Sequence, residues 1–72
     1  MYIVDYQTER QEQILRCIRQ WVSAHGEPPT LAEIGRAVGL SSKSAVHYQL
    51  RRMEARGEVV RTGLRSRAYR PA

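Results

Sequence analysis

Ser44, Ala45, His47, Tyr48, Arg51 and Arg52 fall within nine residues of one another, and none of them suits a catalytic centre. Hydroxyl, methyl, imidazole, phenol and guanidinium groups on one helical face suit the reading of base edges. A serine exchanges hydrogen bonds with them. An alanine or an aromatic ring meets a thymine methyl, and an arginine forks onto guanine or holds a phosphate. At 100° per residue, Ser44, Tyr48 and Arg51 lie at the centre of that face. Ala45 and Arg52 flank one side, and His47 the other. The competing interpretation is a merely solvated polar face. A second cationic group, Arg61, Arg65, Arg67 and Arg70, spans ten residues near the C-terminus. Arg65 and Arg67 are expected to hold the phosphate backbone or the adjacent minor groove. The alternative is that these charges protect a sheet edge from aggregation.

Other chemistries find little support. Cys17 is the single cysteine, and His25 and His47 are the two histidines. That set is too sparse for a structural metal site. There is no phosphate-cradling glycine loop, carboxylate pair or nucleophile–base arrangement, so no enzyme and no cofactor is expected. Lys43 lies among serines on an exposed helix start, where nothing would desolvate it into a base. No apolar run reaches the roughly 18 residues of a membrane span, and the first six residues do not form a signal peptide. A cytoplasmic protein without a small-molecule ligand is the expectation.

Charge supports the nucleic-acid reading. Twelve Lys and Arg oppose seven Asp and Glu, a formal net charge of +5 with a pI near 10.1. Residues 1–35 are acidic, with Arg10, Arg16 and Arg19 against Asp5, Glu9, Glu12, Glu27 and Glu33. Residues 36–72 carry every other arginine and Lys43 against only Glu54 and Glu58. A cationic half of this kind attracts polyanions.

Local signals along the chain define the scaffold that carries these residues. Seventy-two residues allow one domain. Thr8-Glu9-Arg10-Gln11 has the pattern of a capping box. Behind it Ile14, Leu15, Ile18, Trp21 and Val22 share a face, which predicts a helix over 8–25, with Gly26 as its stop. Trp21 and Met53 are expected in the core, Cys17 at its margin, and His25 on the helix C-terminal dipole. Pro28-Pro29 cannot continue the helix. Thr30-Leu31-Ala32-Glu33 opens a short second helix ending at Gly39, and Gly35 inside it marks a close approach by another helix. Ser41-Ser42 supplies a cap for a third helix over 43–56, whose apolar stripe is Val46, Leu50 and Met53. After Gly57 the period changes. Val59–Thr62 and Ser66–Arg70 read as two short strands joined through Gly63. The architecture is mainly α with a small β-hairpin: a three-helix winged helix-turn-helix over 8–70.

Beyond these signals, Gly26-Glu27-Pro28-Pro29-Thr30, Ala32-Glu33-Ile34-Gly35, Ala37-Val38-Gly39-Leu40, Ser42-Lys43-Ser44-Ala45-Val46 and Arg65-Ser66-Arg67-Ala68 resemble the DNA-binding domain of LexA-type repressors. The resemblance covers about residues 8–70. It implies a winged helix that binds an inverted-repeat operator, usually to repress. Ser42, Ser44, Ala45, His47 and Tyr48 match that family's base-reading positions. His47 and Tyr48 replace an acidic pair found in part of the family. The expected DNA-binding set is thus Thr30, Ser41, Ser42, Lys43, Ser44, Ala45, His47, Tyr48, Arg51, Arg52, Arg65 and Arg67. The family's self-cleaving peptidase domain has no counterpart in these 72 residues, so self-cleavage is not expected of them. Residues 1–7 form an N-terminal arm rich in β-formers, expected to add a strand or to contact a second copy; the alternative is a frayed terminus. A homodimer is expected at least on DNA, because single modules bury little surface there. Two alternatives stand beside this: an adaptor that docks on another regulator, and the DNA-binding piece of a longer repressor.

Overall fold

The computed structural model describes residues 9–63 and 67–72. The arm at 1–7, the Thr8 cap and Arg65 lie outside those residues. Three helices are followed by a two-stranded sheet: α1 (Glu9–His25), α2 (Leu31–Val38), α3 (Lys43–Ala55), β1 (Val59–Arg61) and β2 (Tyr69–Pro71). The strands are antiparallel, with Val59 opposite Pro71 and Arg61 opposite Tyr69. This is the winged helix-turn-helix order. Among the described residues, no helix is long and apolar enough to cross a membrane.

One core joins all five elements. Ile14, Leu15 and Ile18 come from α1, Ile34 from α2, and Val46, Leu50 and Met53 from α3; Val59 and Tyr69 come from the strands. Fully burying each of these large apolar side chains contributes roughly 1.5–3 kcal/mol. The narrow stripe on α3 is buried as expected, and Cys17 sits at the core margin.

The short α2 depends on its ends. The Thr30 hydroxyl accepts from the Glu33 N–H at 3.1 Å, and the Glu33 carboxylate accepts from the Thr30 N–H at 2.7 Å. This reciprocal capping box satisfies two donors that an eight-residue helix would otherwise leave unpaired. Gly39 ends α2 in the left-handed region at φ 79°. The Leu40 N–H then donates to the Gly35 carbonyl at 2.8 Å. A Cβ on Gly35 would stand 2.6 Å from the Leu40 carbonyl oxygen and 3.4 Å from Val46 Cγ2. The close approach read from Gly35 is therefore made by the backbone of the turn, with α3 behind it. This contact sets how tightly α3 folds back on α2.

Two expectations need correction. Trp21 is half-buried and stands outside the core. Its ring packs on His25 with centroids 4.6 Å apart, along a groove shared with Cys17 and Ala37. At 100° per residue it falls at the edge of the apolar face, on the side of Cys17, so helical spacing alone overestimated its burial. Gln11, assigned to the cap at Thr8, which lies outside the described residues, is buried among longer-range partners as well. Its amide donates to Gln49 Oε1 at 2.8 Å, and its carbonyl oxygen accepts from Arg56 Nη2. Finally, β2 begins at Tyr69, so Arg67 and Ala68, expected within the strand, precede it. The Thr62 N–H donates to the Ala68 carbonyl at 2.7 Å and its hydroxyl to the Arg67 carbonyl at 2.8 Å. The hydroxyl bond ties the first strand to Arg67 ahead of the ladder.

Candidate nucleic-acid interface

The helix α3 divides cleanly. Val46, Leu50 and Met53 are buried, while Lys43, Ser44, Tyr48, Arg51 and Arg52 are exposed and Ala45 and His47 are half-buried. Its start is set by Ser42, whose hydroxyl accepts from the Ser44 N–H at 3.1 Å. That bond satisfies one free donor of the first turn. Ser41 and Ser42 are exposed, and they line a cleft with Lys43, Gly35 and Arg36. Arg36 was not singled out from the sequence, because it falls on a different helix from the serine run. Folding α2 against α3 brings it to the same cleft, where a cation and a helix N-terminus both favour an anion.

Further along the face, the Arg52 guanidinium carbon sits 5.8 Å from the Tyr48 ring centroid. His47 leans the other way, toward the sheet, with its ring 6.2 Å from that of Tyr69. Thr30 lies at the head of α2, half-buried, with its hydroxyl oxygen committed to the capping box.

The back of the same helix is anchored by polar groups as well as by apolar packing. The Arg56 guanidinium that meets Gln11 also pairs with Glu58 at 3.2 Å, and Gln49 holds the Gln11 amide. On α1, the Arg10 guanidinium donates to the last carbonyl of α2, that of Val38. A signal for Gln11 was present in the sequence, three and four residues before Ile14 and Leu15 on the apolar stripe. A polar side chain on such a stripe needs a buried partner.

The wing arginines behave differently. Arg67 was expected at phosphate, yet its guanidinium reaches across to the α1–α2 turn. Nη1 donates to the Pro28 carbonyl at 2.8 Å and to Glu33 Oε1 at 3.1 Å, and Nε stands 3.4 Å from Glu27 Oε2. Arg61 lies 5.5 Å from the Tyr69 ring centroid, and Arg70 donates to the Pro71 carbonyl at 3.3 Å. Glu33 is thus shared between a helix cap and a wing arginine. The Thr30 backbone bond, then the Arg67 charge, hold its carboxyl below the usual glutamate range. Burial, followed by the Glu33 charge, pushes the Cys17 thiol up, away from the reactive thiolate.

The model of the LexA DNA-binding domain matches residues 5–68. The chain belongs to the LexA DNA-binding domain family. It is 48% identical over 64 residues to the LexA repressor of Sorangium cellulosum, covering 89% of this chain and 28% of that protein. Similarity to the LexA repressor of Geobacillus thermodenitrificans is 48% over 61 residues, covering 85% of this chain and 30% of the relative. To that of Mycolicibacterium paratuberculosis it is 51% over 61 residues, covering 85% and 26%. This LexA-family chain therefore spans under a third of the length of these curated relatives. The capping box at Thr30 and Glu33, the Gly35 turn and the whole of α3 all lie inside the matched region.

Proposed function

We propose that this LexA-family domain binds double-stranded DNA sequence-specifically and represses transcription in the bacterial cytoplasm, associated with the nucleoid. The carrying observation is the division of α3 into a fully packed stripe and an exposed face of Ser44, Tyr48, Arg51 and Arg52. Such a helix enters the major groove with its N-terminal residues foremost. Ser44, Ala45, His47 and Tyr48 then face base edges. Ser41, Ser42, Lys43 and Arg36 hold a phosphate at the head of α3, Thr30 approaches the backbone from α2, and Arg51 follows the strand beyond. Arg65, outside the described residues, is assigned to phosphate by the charge pattern of the sequence. The engagement of Arg67 with Glu27, Glu33 and Pro28 supports a positioning role: it holds the hairpin against the body of the domain.

The site is an inverted repeat bound by two copies, because one module alone buries too little surface for tight binding. Selection of bound sequences from random duplexes tests this directly. The expected product is a short half-site repeated in inverted orientation. About five phosphate contacts per copy should give a log–log salt slope near −4 to −5 per copy. Sequences without any preference, or binding indifferent to salt, would refute the proposal.

A further inference from the structure

Among the described residues, the large apolar group left most exposed is the Tyr48 ring, 59% accessible on the outer face of α3. Leaving an aromatic ring in water forgoes the gain of burying it. The ring is not isolated. Arg52, one turn further along α3, places its guanidinium over it at 5.8 Å, a cation–π contact that restrains the ring.

We infer that Tyr48 reads the 5-methyl group of a pyrimidine in the bound half-site, with Arg52 as the positioning residue that holds its ring. The inference rests on the docking of α3 in the major groove. There, base pairs show their edges, so a ring carried on an inserted helix has no base face to stack on. Those edges present acceptors and amino donors, and the C5-methyl of thymine is the apolar exception. A ring set against polar edges alone would strip them of water without replacing the lost hydrogen bonds. Against a methyl group, both apolar surfaces leave water together. Thymine and 5-methylcytosine carry the same methyl at the same ring position, so either base could supply it.

The test starts from the half-site selected out of random DNA. Each thymine is replaced singly by deoxyuracil and each cytosine by 5-methylcytosine, and each duplex is titrated with the unmodified chain. One thymine per half-site should lose affinity about fourfold when its methyl is removed, the effect of exposing one methyl-sized group. Tyr48→Ala should bind the thymine and uracil duplexes equally at that position, and Arg52→Gln should shrink the discrimination there. A gain at one 5-methylcytosine, with no sensitive thymine, would name methylated cytosine as the source. The inference fails if every replacement is neutral, or if the sensitivity survives in Tyr48→Ala. Discrimination intact in Arg52→Gln would remove the positioning role. In each of those cases, specific binding of the parent duplex leaves the major-groove reading standing; a selection that returns no preferred sequence overturns both.

Discussion

The outer face of α3 and the hairpin that follows it both concentrate positive charge, but they differ in what that charge faces. On α3, Lys43, Arg51 and Arg52 point outward from a helix whose other side is packed solid. In the hairpin, Arg67 is turned onto Glu27, Glu33 and the Pro28 carbonyl, while Arg61 lies by Tyr69. A run of arginines in a sequence therefore measures charge, not charge offered to a ligand. The two regions also differ in what holds them. The turn before α3 is fixed by backbone contact at Gly35, whereas the hairpin, besides burying Val59 and Tyr69 in the core, is tied to the α1–α2 turn and to α2 by ion pairs that salt and acid weaken.

The contrast can be broken at the turn first. Gly35→Ala forces a Cβ to within 2.6 Å of the Leu40 carbonyl. Overpacking at such a site costs about 1–3 kcal/mol. Chemical denaturation should show that loss, with DNA binding weakened in parallel. Next is Arg67→Ala, which removes partly exposed charge-assisted bonds and should cost about 1 kcal/mol of stability. Its salt slope for DNA decides its role. A slope smaller by about 0.9 would make Arg67 a phosphate contact after all, whereas an unchanged slope with weaker binding fits a positioning residue.

Between the Gly35 turn and the hairpin contact, acid acts on the hairpin contact alone. The Glu33 carboxyl is lowered in the folded state, so its contribution is fully present above the ordinary glutamate value near 4.5 and is lost as pH falls through the lowered value. Denaturation midpoints should drop across that acid window, and Glu33→Gln should lose that part of the drop. The smallest effect on stability belongs to Arg51→Ala. This exposed change should move stability by no more than about 0.5 kcal/mol. It should still reduce the salt slope by about 0.9 per copy.

Much of this was legible beforehand because it is written locally. The Thr30–Glu33 cap, the Gly39 stop, the Ser42 start and the Val46–Leu50–Met53 stripe each follow from residues at most seven apart. What escaped was long-range. Nothing near Arg67 announces that Glu27 and Glu33, more than thirty residues earlier, will meet it. The same holds for Gln11 with Gln49 and Arg56. Arg36 reaches its cleft only through the turn geometry. The Trp21 error has a different cause: periodicity tells which side of a helix is apolar, but not where across that side burial ends.

The buried Gln11 amide has one more consequence. By joining α1 to both ends of the second half of α3, it leaves the reading helix little conformational entropy to surrender when a partner arrives. A protein preorganised in this way chooses among targets by the fit of a preset shape. Preferred and rejected sequences should then separate mainly in how long each complex lives, with encounter rates nearly alike.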